Sequence, residues 1–314
     1  MGLLLQPRAH EAVFRLEELA EAGDELGAAK VELLHGEIAA REGRNEAATT
    51  HFARAVERFD ALGDVAGRAE ALRRTGMAAL FRNDADSAEE PIARSLEAFR
   101  AVHDRRGEAW ALQNLAWIAF VTGRVGEAEL RLNESFAAFT EIADHSGLAW
   151  TEGLLAFVRM SQGRMAEAGE LADRILHESE RRNDRWAQAM MLLVLGSIDL
   201  WEGRTERATT VADRSVAHFV ALGDPTGLQQ GRALAGRAHM MLGNVEDGLA
   251  MVEQALEGLT AHTIGPQTMF AVTSSIAARV QLGAAQRLEL DVLRRIVEDC
   301  PDGQRPADLV AGVG

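Results

Sequence analysis

The 314-residue chain has no tyrosine, a single cysteine, a single lysine (Lys30) and six prolines. With Cys300 alone, no disulfide can close within the chain, which fits a reducing, cytoplasmic compartment. Nothing around Cys300 supplies a partner base, so it reads as incidental rather than catalytic. No apolar run approaches the roughly 18 residues of a membrane span, and MGLLLQPRAH lacks a cleavage-like segment, so neither an anchor nor a signal peptide is expected. Positive charge is also short. A net charge of −15 repels phosphate backbones and anionic bilayers, which argues against direct nucleic-acid and membrane partners. There is no GxxxxGK, HExxH or CxxC motif, and the histidines are scattered without metal-like spacing. No catalytic residue, metal or cofactor is expected, and the chain reads as non-enzymatic. The bias to Arg and Ala suggests a GC-rich bacterial genome.

What the chain does have is a period of forty residues. Asp recurs at Asp24, Asp64, Asp104, Asp144, Asp184 and Asp224. Half a period away run Gly43, Asn83, Gly123, Gly163, Gly203, Gly243 and Gly283, whose one non-Gly member is the other residue that tolerates a left-handed backbone. Two further series are small: Gly36, Gly76, Ala116, Ala156, Gly196, Gly236, and Ala48, Ala88, Ala128, Ala168, Ala208, Gly248. About 18 residues of helical periodicity separate each Asp from the next Gly, and each Gly from the next Asp. Each unit is therefore two helices. The Asp caps the first helix, the Gly ends it, and the small residues let two helix backbones approach. Pro91 falls inside a second helix, where a kink near the first turns is expected.

The segment ALQNLAWIAFVTGRVGEAE (Ala111 to Glu129) resembles the tetratricopeptide repeat, with Leu115 and Ala116 as the apolar and small pair, Gly123 at the turn and Ala128 following. The forty-residue spacing is similar to the long repeats in C-terminal regions of bacterial, especially actinobacterial, regulators and signalling ATPases. The resemblance covers about residues 9 to 299. It departs from the pattern at Ala79, Ala119, Arg159, Asp199 and His239, where an aromatic is expected, and Ile276 replaces the small residue of the last unit. The implied fold is all-α, a right-handed α-α superhelix of about six to seven hairpins. Its organisation is a leader at 1–8, a solenoid at 9–299 with units near 24–63, 64–103, 104–143, 144–183, 184–223 and 224–263, a degenerate unit at 264–299 and a mobile tail at 300–314. Residues 9–22 read as a second helix without its first. This leaves an apolar face that a longer protein, or another cap, is expected to cover.

In such repeats the first helices line the concave face. Their inward stripe in the middle units is rich in large apolar groups: Met77; Trp110, Trp117 and Phe120; Trp150, Phe157 and Met160; then Met190. Gln113 and Asn114, with Arg73 and Arg74 at the equivalent sites one repeat earlier, are the polar groups beside it, Glu37 and Glu70 lie on the stripe itself in the first two units, and in peptide-binding relatives an Asn at a position like that of Asn114 contacts the ligand main chain. Three readings stand: inter-repeat core, a groove for a peptide or partner helix, or a site for a small apolar ligand. The band peaks in the middle, which pure stacking would not require. The expected function is protein–protein interaction, as a scaffold or sensor region of a cytoplasmic bacterial regulator. The alternative is a structural module that forms a homo-oligomer with no ligand in the groove. Arg159, Asp199 and His239 are position-matched and are expected to form a ladder of charge pairs. No nucleophile accompanies them, which argues against a catalytic set.

Overall fold

A computed structural model of the chain describes residues 24–41, 44–81 and 84–259. Among these residues there are twelve helices: α1 (Glu25–Arg41), α2 (Asn45–Ala61), α3 (Val65–Phe81), α4 (Ala85–Ala101), α5 (Arg105–Val121), α6 (Val125–Glu141), α7 (His145–Ser161), α8 (Met165–Arg182), α9 (Arg185–Trp201), α10 (Thr205–Leu222), α11 (Pro225–Met241) and α12 (Val245–Leu259). No described helix is long and apolar enough to cross a membrane. The lone helix expected at 9–22, the degenerate unit at 264–299, the tail, and Gly43, Asn83 and Gly283 lie outside the described residues.

The periodic residues do the local work assigned to them. Each odd helix from α3 on begins after an Asp whose carboxylate accepts from a free first-turn amide. Asp64 accepts from the Gly67 N–H at 2.9 Å, Asp104 from Gly107 at 2.9 Å, Asp144 from Ser146 and Gly147 at 3.1 and 3.0 Å, Asp184 from Ala187 at 3.2 Å and Asp224 from Gly227 at 2.9 Å. These orphan donors and the positive helix end both favour an anion there. Gly123, at φ 80°, closes the turn after α5 in the left-handed region that glycine enters without steric cost, and Gly163, Gly203 and Gly243 repeat it. The turns into odd helices need the same conformation one residue before the Asp. There it is taken by Gly63 and Gly223 but also by His103, Ala143 and Asn183, at φ 53° to 55°.

The chain divides into two compact units, residues 1–171 and 172–314. In the first, every helix from α1 to α7 packs on its neighbours in sequence, and α1, α3, α5 and α7 also approach one another directly. Among the described residues of this unit, no pair of even helices comes as close. The odd helices therefore form its tightly spaced side. In the second unit α9, α11 and their partners α10 and α12 repeat the arrangement.

Two sets of small residues set the spacing. Within a hairpin the helices cross at the small pairs. A Cβ on Gly76 would meet the Ala88 carbonyl oxygen at 2.7 Å, and one on Gly236 the Gly248 carbonyl oxygen at 2.5 Å. Between hairpins, a ring from the end of each even helix lies over the first turn of the next odd helix. Phe59 covers Gly67, Phe99 covers Gly107, Phe139 covers Gly147 and Phe219 covers Gly227; a Cβ on any of these glycines would stand 2.1 to 2.3 Å from ring carbons. All four rings are buried. Where the ring is missing the hole is filled: Ser179 replaces Phe, Ala187 replaces Gly, and Gln188 Nε2 donates to the Ser179 carbonyl at 3.0 Å.

This exchange within one chain predicts a coupled pair. Gly107→Ala should lower stability to urea by roughly 1–3 kcal/mol through overpacking, and Phe99→Ser by more. The double variant should lose clearly less than the sum, because each change relieves the other. Strict additivity in urea unfolding would show that ring and glycine are not in register.

Candidate functional site

The expected aromatic band lies on the odd helices of the first unit, rooted in the core but not submerged in it. Trp110 on α5 is half-buried and meets the Phe139 ring edge-on, centroids 5.0 Å apart at 74°. Trp117 and Phe120, about two and three turns on, are half-buried and tilted together at 5.6 Å. Trp117 bridges two apolar clusters, one with Leu112, Leu115 and Ile118, the other with Leu132, Leu154 and Val158. On α7, Trp150 leaves 39% of its surface exposed, whereas Phe157 and Met160 are half-buried. Met77 on α3 is half-buried against the Leu80 and Leu112 cluster. Met190 belongs to the second unit, where it is buried on α9.

Beside these rings is a buried polar network. Arg73 is 7% exposed; its Nε and Nη2 donate to the two Glu70 oxygens at 2.9 and 2.6 Å, and its Nη1 donates across to Asn114 Oδ1 on α5 at 2.9 Å. Asn114 Nδ2 donates in turn to Gln113 Oε1 at 2.7 Å. Arg74 donates to Glu70 at 2.7 Å and lies 3.2 Å from Glu37 on α1. The network thus joins three odd helices. Burial works against the charge of Glu70, but Arg73 and Arg74 more than reverse it and hold the carboxyl below its ordinary value of 4.5. Arg74 is desolvated as well, and Glu70 and Glu37 hold its guanidinium above its usual range. The sequence placed Arg73, Arg74, Gln113 and Asn114 beside the band and Glu37 and Glu70 on the stripe itself, but did not join them into one network. The signal for joining Glu70 to the two arginines was present, an acid three and four residues before them on one helix.

The trio of Arg159, Asp199 and His239 is a correction. Within the second unit Asp199 and His239 do not form the expected pair, and each of the three charges is taken up by an even helix or its entry turn. Arg159 pairs with Glu167 and lies 3.7 Å from Glu129. Asp199, only 1% exposed, accepts from Arg204 at 2.7 Å, and the Arg207 guanidinium lies 3.2 Å away as an ion pair. His239 lies 3.5 Å from Asp213. The physical reason is orientation: three residues beyond the small position, a side chain faces the even helices, so its partners come from there. Among the described residues no group of histidine, cysteine and acidic side chains is placed to hold a metal ion.

The depressed Glu70 carboxyl makes a pH prediction. A carboxyl held low in the folded state adds stability above its unfolded value and loses it as pH falls through the folded one. Glu70→Gln should therefore lower the thermal midpoint at pH 7. The gap between variant and parent should close as pH drops from about 4.5 downward. A gap unchanged to pH 3 would mean that the Glu70 charge contributes nothing.

No protein-family model matches the chain, and no curated protein matches it. Solved structures do. NprR in complex with its cognate peptide NprX superposes with a TM-score of 0.66 at 11% identity, over 93% of this chain and 88% of that one. A Rap protein complexed with competence and sporulation factor gives 0.60 at 14% identity, over 85% and 79%. A signal transduction ATPase with numerous domains and a tetratricopeptide repeat sensor, from Pyrococcus horikoshii, gives 0.58 at 11% identity, over 96% of this chain but 45% of that one. Likenesses at such identity carry the fold and nothing finer: the chain is an all-α array of tetratricopeptide-like helical hairpins.

Proposed function

We propose that this chain is a non-enzymatic protein-interaction region of a bacterial regulator, and that the odd-helix face of its first unit receives a peptide or a partner helix. The observation that carries the reading is the row of rings, half-buried Trp110, Trp117 and Phe120 with the exposed Trp150, alongside the buried network of Arg73, Gln113 and Asn114. Aromatic rings anchored on one side and open on the other bury large area at little entropic cost, and they dominate the energetics of recognition surfaces. Met77 and Met160 at the margins supply adaptable apolar contact. Two of the similar folds, NprR and the Rap protein, are complexes with a peptide and with competence and sporulation factor. The single cysteine fits a cytoplasmic setting.

The test is a capped random heptapeptide pool titrated against the intact chain, followed by tryptophan emission and calorimetry. Saturable binding is expected. Trp150→Ala, a change at a partly exposed ring, should weaken it at least tenfold, which is about 1.4 kcal/mol. Absence of binding, together with a mass that rises with concentration and an emission change that tracks it, would overturn the reading in favour of a self-association surface.

A further inference from the structure

Resting on that reading, we propose that Gln113 is the residue that reads the bound peptide, and that it takes a hydrogen-bond acceptor: a main-chain carbonyl of an extended segment. Arg73 fixes the orientation of the amides beside it. A guanidinium can only donate, so the atom of Asn114 that faces it at 2.9 Å must be the amide oxygen. That choice turns the Asn114 nitrogen toward Gln113, 2.7 Å away. The atom it meets must then be the Gln113 oxygen. Amide orientation is normally ambiguous, but here one donor-only group fixes two amides in succession. The relay ends on Gln113 Nε2, whose two hydrogens no acceptor among the described residues takes up.

Gln113 is 4% exposed, so this free nitrogen sits at the bottom of the surface rather than in open solvent. Its place on α5 is three residues after Trp110 and four before Trp117, on their stripe. A segment lying across the two rings brings its backbone over Gln113. Such a segment excludes water there, which strengthens a hydrogen bond to a correct partner and penalises a wrong one. A donor in that position finds only another donor. The ion pair of Arg73 with Glu70 leaves the end of the relay without net charge, so a neutral carbonyl is matched better than a carboxylate. Asn114, by contrast, is spent on both sides in holding the relay. Arg73 is a positioning residue: it touches no ligand and sets which end of Gln113 does.

The experiment uses the intact chain and heptapeptides acetylated and amidated at their ends. The sequence best bound by the parent protein is resynthesised with one backbone carbonyl at a time replaced by a thioamide, a weaker acceptor. We expect one position to weaken binding to the parent on the order of tenfold. In Gln113→Met the overall affinity should fall by a similar factor, and the scan should become flat. Gln113→Glu keeps the shape, accepts from Asn114 and removes the donors. It should lose binding as well, so a folding failure of the methionine variant leaves the test intact. In Arg73→Met the scan should lose its preferred position although Gln113 remains. Parent binding with a flat scan, or a scan unchanged in both Gln113 variants, overturns this inference and leaves the peptide reading standing. Binding confined to peptides with a free C-terminus would reassign Nε2 to a carboxylate and also overturn it. No binding of any peptide by the parent is a failure of the peptide reading itself.

Discussion

Two helix backbones can touch only where no side chain stands between them. Here that condition is met at Gly76 with Ala88 and at Gly236 with Gly248. From this contact the rest follows. Close crossing brings odd and even helices together, the Asp caps and left-handed turns fix where each helix starts and stops, and the forty-residue period is the length of chain that one such crossing needs. The Phe rings over Gly67, Gly107, Gly147 and Gly227 then transmit the spacing from one hairpin to the next. Each hairpin buries its apolar face only with its neighbours, so stability is built by nearest-neighbour contacts rather than around one centre.

The same geometry separates two kinds of position on the odd helices. One stripe carries glycine and alanine and is consumed by the crossing. The other carries Trp110, Trp117, Phe120 and Trp150, and no even helix demands small residues there. Large rings at these places are rooted in the clusters around Leu112 and Leu154, yet keep one side available. The polar network under them draws on three odd helices, because only these approach one another closely enough for Glu37, Arg74, Glu70, Arg73 and Asn114 to join.

The legible part of this architecture was whatever repeats by residue type. The Asp, Gly and small-residue series are chemically uniform, and caps, turns and crossings could be placed from them alone. The left-handed position before each Asp was not legible, because it is filled by Gly63, His103, Ala143 and Asn183, which share a backbone angle and not a side chain. The Phe-over-Gly contact could have been found, since Phe59, Phe99, Phe139 and Phe219 also recur at forty; its one exception, Ser179 with Ala187, is what reveals the pairing. At the site, spacing placed the rings on one stripe but could not say how deeply they sit. It also misjudged Arg159, Asp199 and His239, because matched positions imply neighbouring side chains only when those side chains point along the stack. Theirs point to the even helices.

The central claim is that the ring-bearing face of the first unit is available to a partner. The most direct measurement is quenching of tryptophan emission by a neutral quencher in the monomer, with single Trp→Phe variants to assign Trp110, Trp117 and Trp150. The account predicts strong quenching of Trp150 and intermediate quenching of Trp110 and Trp117. Full protection of all three in a monomer would make the band core, and would contradict it.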